Sequence, residues 1–156
     1  VGMTIQRIGV VGAGTMGSGI AQVFAQAGLD VRLTDSIPAA LDRARAGIEK
    51  SLAKLVEKGT LTAGDRDVAI TRISTTGSLD PLSEVDFVVE AVAEELQAKL
   101  DVFRKLDAVT RPGVVLASNT SSISITVLGA STKRPDKVLG MHFMNPVPLM
   151  QLVELI

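Results

Sequence analysis

The chain has no cysteine, tryptophan or tyrosine, and only four phenylalanines among 156 residues. Without cysteine there is no disulfide framework and no thiolate chemistry. With aromatics at 3%, the core has to be aliphatic. A single histidine, His142, excludes a multi-histidine metal site. An excess of charge of either sign is also missing: 16 Lys and Arg face 17 Asp and Glu, a net charge of −1. No basic run interleaves with aromatics, so a nucleic-acid partner held by general phosphate attraction is not expected. No apolar stretch is long enough to span a membrane, and the N-terminus lacks the regions of a signal peptide. A soluble, cytoplasmic protein is the default expectation.

What is present is a chain of single-domain length with 46% hydrophobic residues. Residues 5–11 read as a buried strand and 15–27 as a helix that stops at Gly28. Residues 31–34 form a second strand. A long helix runs to about Lys58, capped by Asp35 or Ser36, with Ile37, Leu41, Ala44, Ile48, Leu52 and Leu55 as its apolar stripe. Residues 61–68 suggest a short helix or turn, 69–74 a third strand and 87–89 a fourth. A helix carries Leu96, Leu100, Phe103 and Leu106. Residues 114–117 form a fifth strand, 123–128 a short helix, and 138–143 and 149–156 the last two strands. Apolar strands alternating with helices describe an α/β, Rossmann-type, doubly wound and mostly parallel sheet, helices on both faces, ending in a C-terminal β-hairpin. The sequence stops in an apolar run, Leu152 to Ile156, which leads to the expectation of further polypeptide beyond it.

The first strand runs directly into Gly12-Ala13-Gly14-Thr15-Met16-Gly17. Gly12 suits a tight turn, Gly14 a close approach of backbone to a pyrophosphate, and Gly17 close packing of the helix. Thr15 and Met16 open the helix, whose free N–H groups and dipole favour phosphates. Asp35 follows Gly14 by 21 residues at the end of the next strand, near the expected spacing of about 20. A carboxylate there accepts from a ribose 2′-OH and repels a 2′-phosphate, so NAD is favoured over NADP. FAD is the other dinucleotide compatible with the loop, and a plain helix cap is the other reading of Asp35.

His142 lies at the end of a strand, on the side where open sheets bind ligands. Asn145-Pro146-Val147-Pro148 then enforces a turn. A hairpin centred near Pro148 sets residue 142 opposite Glu154, the one charge in an apolar strand. A buried glutamate there needs a partner, and histidine is suited to be it. Imidazole can take the proton of an alcohol as hydride leaves the same carbon, with the carboxylate orienting the ring. Asn119-Thr120-Ser121-Ser122 places hydroxyl and amide groups at another strand end, or serves as a plain turn capping the next helix. Glu94 and Lys99 lie beyond the fourth strand, in a ligand site or in a solvated first helical turn.

On the segments IGVVGAGTMGSGIAQVFAQAGLDVRLTD, EAVAEELQAK, SNTSSISI and GMHFMNPVPLMQLVELI, the chain resembles the NAD-binding domain of the 3-hydroxyacyl-CoA dehydrogenase family, which includes 3-hydroxybutyryl-CoA dehydrogenases. The resemblance implies that Gly12, Gly14 and Gly17 hold the pyrophosphate and Asp35 the adenosine ribose. It implies that Glu94, Lys99, Ser121 and Asn145 contact NAD, and that Ser121 also bonds the substrate oxygen. His142 is implied as the base and Glu154 as its partner, with Ser121 and Asn145 completing the catalytic set. Ser51 and Lys58, on one side of the long helix with Lys54 nearby, are implied as coenzyme A contacts. The implied reaction is oxidation of (S)-3-hydroxyacyl-CoA to 3-oxoacyl-CoA, a step of fatty acid metabolism. Met144 and Gln151 stand where a phenylalanine and a lysine are common in the family. The family also has a helical C-terminal domain that closes the cleft and forms a homodimer. Residues 1–156 are therefore expected to be the NAD-binding domain, incomplete and nearly inactive alone. A sugar-acid or crystallin-like oxidoreductase and a non-catalytic NAD-binding domain are the competing readings.

Overall fold

The computed structural model of the chain describes residues 4–156, so residues 1–3 of the expected domain lie outside the described residues. Seven strands form one sheet: β1 (Arg7–Val11), β2 (Asp30–Thr34), β3 (Ile73–Thr76), β4 (Phe87–Glu90), β5 (Val115–Ser118), β6 (Val138–Phe143) and β7 (Val153–Leu155). Their spatial order is β3-β2-β1-β4-β5-β6-β7. The first six are mutually parallel, and β7 adds antiparallel to β6. The chain order reverses between β1 and β4. A crevice opens there beyond the carboxyl ends of the strands, the place where such sheets bind ligands.

Alternation along the strands divides the interior into two cores. Ile8, Val10, Val89 and Ala117 face one; Val11, Val88 and Leu116 face the other. The first core is covered by α1 (Thr15–Gln26), α2 (Pro38–Glu57) and α3 (Ala63–Arg72), the second by α4 (Leu96–Val109) and α5 (Ile125–Ala130). Burial on both faces explains why the strands read as apolar runs.

Some local expectations give way. The strand expected at 69–74 is mostly α3, and β3 begins only at Ile73. The Thr62 hydroxyl accepts from the Asp65 amide at 3.0 Å and starts that helix early enough to absorb Val68, Ala69 and Ile70. The residue preceding α2 is Ile37, not Asp35 or Ser36; its buried row is Ala40, Ala44, Ile48 and Leu52, and Ile37 is exposed. α5 starts at Ile125 under a Ser124 cap rather than at 123. The final strand is shorter than 149–156, because a 3-10 turn takes Val147–Leu149 and pairing resumes only at Val153.

Candidate cofactor and acid–base site

The glycine loop leaves almost no freedom. Gly12 sits at φ +103°, and a Cβ there would meet the Ala91 carbonyl oxygen at 2.5 Å. The turn and the closeness of β4 both demand glycine. A Cβ on Gly17 would lie 1.7 Å from the Gly12 carbonyl oxygen. Gly17 therefore packs against the loop's own backbone rather than simply against the sheet. Gly14 differs: among the described residues, nothing beyond its own stretch of chain lies within 4 Å of its missing Cβ. Gly14 is also the N-cap of α1, with no side-chain cap and no acidic residue in the first turn. The leading amides, with Thr15 and Met16 among them, therefore face outward with a positive dipole end. An open approach, uncapped donors and a first turn free of acidic residues together fit an anionic pyrophosphate.

Asp35 follows β2. Its Oδ2 accepts from the Ala13 amide and its Oδ1 from the Ile37 amide, both at 2.9 Å. The carboxylate thus braces the loop while remaining only partly buried, which leaves lone pairs for ribose hydroxyls. A cleft of ≈720 Å³ runs past Gly12, Gly14, Asp35, Ile37, Val92 and Lys105. A second, of ≈520 Å³, runs from Thr15 and Asp35 past Arg43 to Ser51.

Glu94, Lys99 and Ser121 are brought together. The Thr120 hydroxyl donates to Glu94 at 2.6 Å, and the Ser121 amide and hydroxyl donate to it at 3.1 and 3.3 Å. Burial alone would raise the Glu94 carboxyl. The Thr120 hydroxyl, the Ser121 amide, the Lys99 charge and the Ser121 hydroxyl outweigh it and hold the group below its usual range. Lys99 is not on a solvated turn: it is 2% exposed. Its ammonium donates to Glu90 at 2.6 Å and to the Val92 carbonyl at 3.2 Å, with Glu94 3.6 Å away.

Glu90, wholly buried, is a residue that sequence reasoning missed, as is Ser118, whose hydroxyl it holds. It also accepts from the Val92 amide and the Ser118 hydroxyl. The available signal was a carboxylate continuing the apolar run Phe87–Val89, nine residues before a lysine.

Ser51 and Lys58 line one cleft of ≈360 Å³ with Lys50, Lys54, Pro146 and Pro148. Ammonium groups on one wall suit phosphates. Asn145 is exposed in the connection after β6.

The hairpin register sets His142 opposite Glu154. His142 Nδ1 lies 3.7 Å from Glu154 Oε2, close enough for an ion pair with a protonated ring, though too long for a hydrogen bond. The expected burial of Glu154 is not found: its side chain is 51% exposed and that of His142 25%. β7 is the edge of the sheet, so only one of its neighbours is a strand. The backbone next to the ring is tied to the end of β5, where the Phe143 amide donates to Asn119 Oδ1 at 2.9 Å.

A family model described as 3-hydroxyacyl-CoA dehydrogenase, NAD binding domain, matches residues 7–156. A 3-hydroxybutyryl-CoA dehydrogenase of Clostridioides difficile is 46% identical over 150 residues, 96% of this chain and 53% of that protein. A probable 3-hydroxybutyryl-CoA dehydrogenase of Deinococcus radiodurans is 53% identical, with 96% and 54% covered. The crystal structure of an (S)-3-hydroxybutyryl-CoA dehydrogenase from Ralstonia eutropha superposes with a TM-score of 0.95 at 46% identity, covering 97% of this chain and 54% of the other. The chain spans about half the length of the curated relatives it matches.

Proposed function

The chain belongs to the 3-hydroxyacyl-CoA dehydrogenase family as an NAD-binding domain, and from that membership we propose that it serves the NAD-dependent oxidation of (S)-3-hydroxyacyl-CoA to 3-oxoacyl-CoA. The observation that carries the reading is the pairing of His142 with Glu154 at the same end of the sheet as the glycine loop. Gly12, Gly14, Thr15, Met16, Gly17 and Asp35 would hold the NAD, with Glu94, Lys99, Ser121 and Asn145 at its nicotinamide end. When bound, NAD⁺ supplies the acceptor for the hydride that leaves the substrate carbon.

The side chains do the rest. Glu154 lies on the Nδ1 side of His142, which leaves Nε2 to take the substrate hydroxyl proton. The carboxylate stabilises the resulting imidazolium, and closing the gap by about 1 Å would make a charge-assisted hydrogen bond. Such contacts commonly tighten only when substrate is bound. The Ser121 hydroxyl orients the substrate oxygen. Ser51 and Lys58, with Lys50 and Lys54 beside them, receive the phosphates of coenzyme A. Assembly as a homodimer belongs to the same reading and rests on the resemblance, and a cytoplasmic location rests on the sequence composition alone.

Turnover by the native protein tests this, followed as NADH oxidation with acetoacetyl-CoA and longer 3-oxoacyl-CoA substrates and, in the opposite direction, as NAD⁺ reduction with a free sugar acid. Turnover with the CoA thioesters alone is expected. Preference for the sugar acid would move the protein to the related oxidoreductases, and NADH binding without any turnover would make it a non-catalytic binding domain.

A further inference from the structure

The sheet holds a buried carboxylate that the chemistry above does not use. Glu90, 0% exposed, ends β4, and its side chain ties together three separate pieces of chain at the ligand end of the sheet. Oε2 accepts from Lys99 of α4 at 2.6 Å and from the Val92 amide at 2.7 Å. Oε1 accepts from the Ser118 hydroxyl at the end of β5, at 2.5 Å. The Ser118 oxygen in turn accepts from the Thr120 amide at 3.2 Å. The backbone carbonyl of Glu90 accepts from the Asn119 amide at 2.8 Å, and the Asn119 side chain holds the Phe143 amide beside His142. Lys99 continues the chain toward Glu94, which grips Thr120 and Ser121.

We propose that Glu90 is a positioning residue, whose buried charge fixes Lys99 on the cofactor side and the Ser118–Ser121 strand end on the substrate side as one unit. It touches neither ligand; it acts through Lys99, Ser118 and Asn119. Stability alone does not call for an ion pair here, because apolar residues of similar volume commonly hold buried contacts as well or better. The opposite end of α4 has its own anchor, far along the helix from Lys99. There Arg134 pairs with Asp107 at 2.8 Å and donates to the carbonyls of Asp107, Thr110, Arg111 and Val114. Every group that the Glu90 side chain holds instead lies at the crevice end, with Val92 also lining the cofactor cleft. A charge kept in a dry place, joining two halves of a site, is suited to hold geometry where small displacements are costly.

The test is Glu90→Gln in the native protein. Glutamine keeps the shape: its oxygen can still accept from Lys99 and Val92, and its amide can donate to Ser118, so the charge is what is lost. The expected result is a dissociation constant for NADH raised by about tenfold and a kcat for acetoacetyl-CoA lowered by about ten- to hundredfold, the cost of a displacement near 1 Å. The KM for acetoacetyl-CoA is expected to stay within about threefold, and the Ser121 amide resonance to shift. Ser118→Ala cuts only the arm toward β5 and is expected to lower kcat while leaving NADH affinity in place. A role confined to stability would move the melting temperature and none of these. If Glu90→Gln does not fold, Ser118→Ala carries the test: a shifted Ser121 amide in that folded variant supports the proposal, and an unmoved one overturns it. NADH affinity within twofold of the unsubstituted protein, together with an unmoved Ser121 amide, overturns it. The kcat arm rests on the proposed reaction. If the unsubstituted protein binds NADH without reducing acetoacetyl-CoA, that reaction fails, and the affinity and resonance arms still decide the role of Glu90.

Discussion

The glycine loop and the C-terminal hairpin sit at the same end of one sheet and are built in opposite ways. Around the loop the chain makes its own constraints. Gly12 and Gly17 are buried against backbone, and Asp35 braces the Ala13 amide. The hairpin is held by three registered residue pairs and the reciprocal backbone bonds of Gly140 and Ile156, and His142 and Glu154 stand 3.7 Å apart with Glu154 half-exposed. Leu149, Met150, Leu152, Leu155 and Ile156 are all exposed there. On the proposed reading, cofactor binding depends on a loop whose own backbone fixes its shape. The proposed acid–base pair is held in register by the backbone while its side chains keep room to close. That reading makes affinity for NADH and rate of turnover separable properties of the two regions.

The strongest way to break that separation is at Gly17. In Gly17→Ala, the new Cβ must displace the Gly12 carbonyl, and overpacking of this kind costs about 1–3 kcal/mol or more. NADH binding followed by fluorescence is expected to vanish, with a lower melting temperature. An alanine variant that binds NADH normally would show the loop to be adjustable.

Asp35→Ala is milder. Losing charge-assisted bonds to the ribose is expected to weaken NAD by about tenfold or more and to relax discrimination against NADP. Calorimetric titration of both cofactors reads this, and an unchanged preference removes Asp35 from the site. Smaller again is Lys58→Ala in the cleft under the hairpin. It is expected to raise the KM for acetoacetyl-CoA by about two- to fivefold, the worth of an exposed charge pair, with NADH affinity unmoved.

The smallest effect is a pH response of the scaffold. Burial would raise the Asp86 carboxyl, but the Gln6 amide, the Arg111 side chain and the Arg7 amide hold it below its usual value of 3.8. A carboxylate lowered on folding stabilises the native state above its unfolded pKa, and that contribution is lost as pH falls through the folded value. Glu94 acts in the same sense. Melting temperature is expected to fall between about pH 4 and pH 2, and less steeply in Asp86→Asn. An identical acid limb in the variant would exclude Asp86 as its source.

The same contrast explains what the sequence made legible. The loop could be read because its determinants are local: a strand, three glycines and an aspartate lie within one β1–α1–β2 unit. The His142–Glu154 register could be read because a turn rich in proline fixes where the two strands meet. The Glu90 assembly could not, since it joins β4, β5 and α4, and nothing in the spacing of Glu90, Lys99 and Ser118 shows that tertiary packing makes them neighbours. The exposure of Glu154 was missed because an apolar sequence around it suggested burial, whereas an edge strand need not be covered. α3 was misread because Val68, Ala69, Ile70 and Ile73 suit a strand as well as a helix, and the Thr62 cap decided between them.

The most direct test of the separation is to measure His142→Ala and the unsubstituted native protein side by side, for NADH dissociation constant and for kcat with acetoacetyl-CoA. The predicted result is a kcat lower by about 10²–10⁴ with NADH affinity essentially unchanged. Turnover near that of the unsubstituted protein, or a loss of NADH affinity as large as the loss of rate, would contradict it.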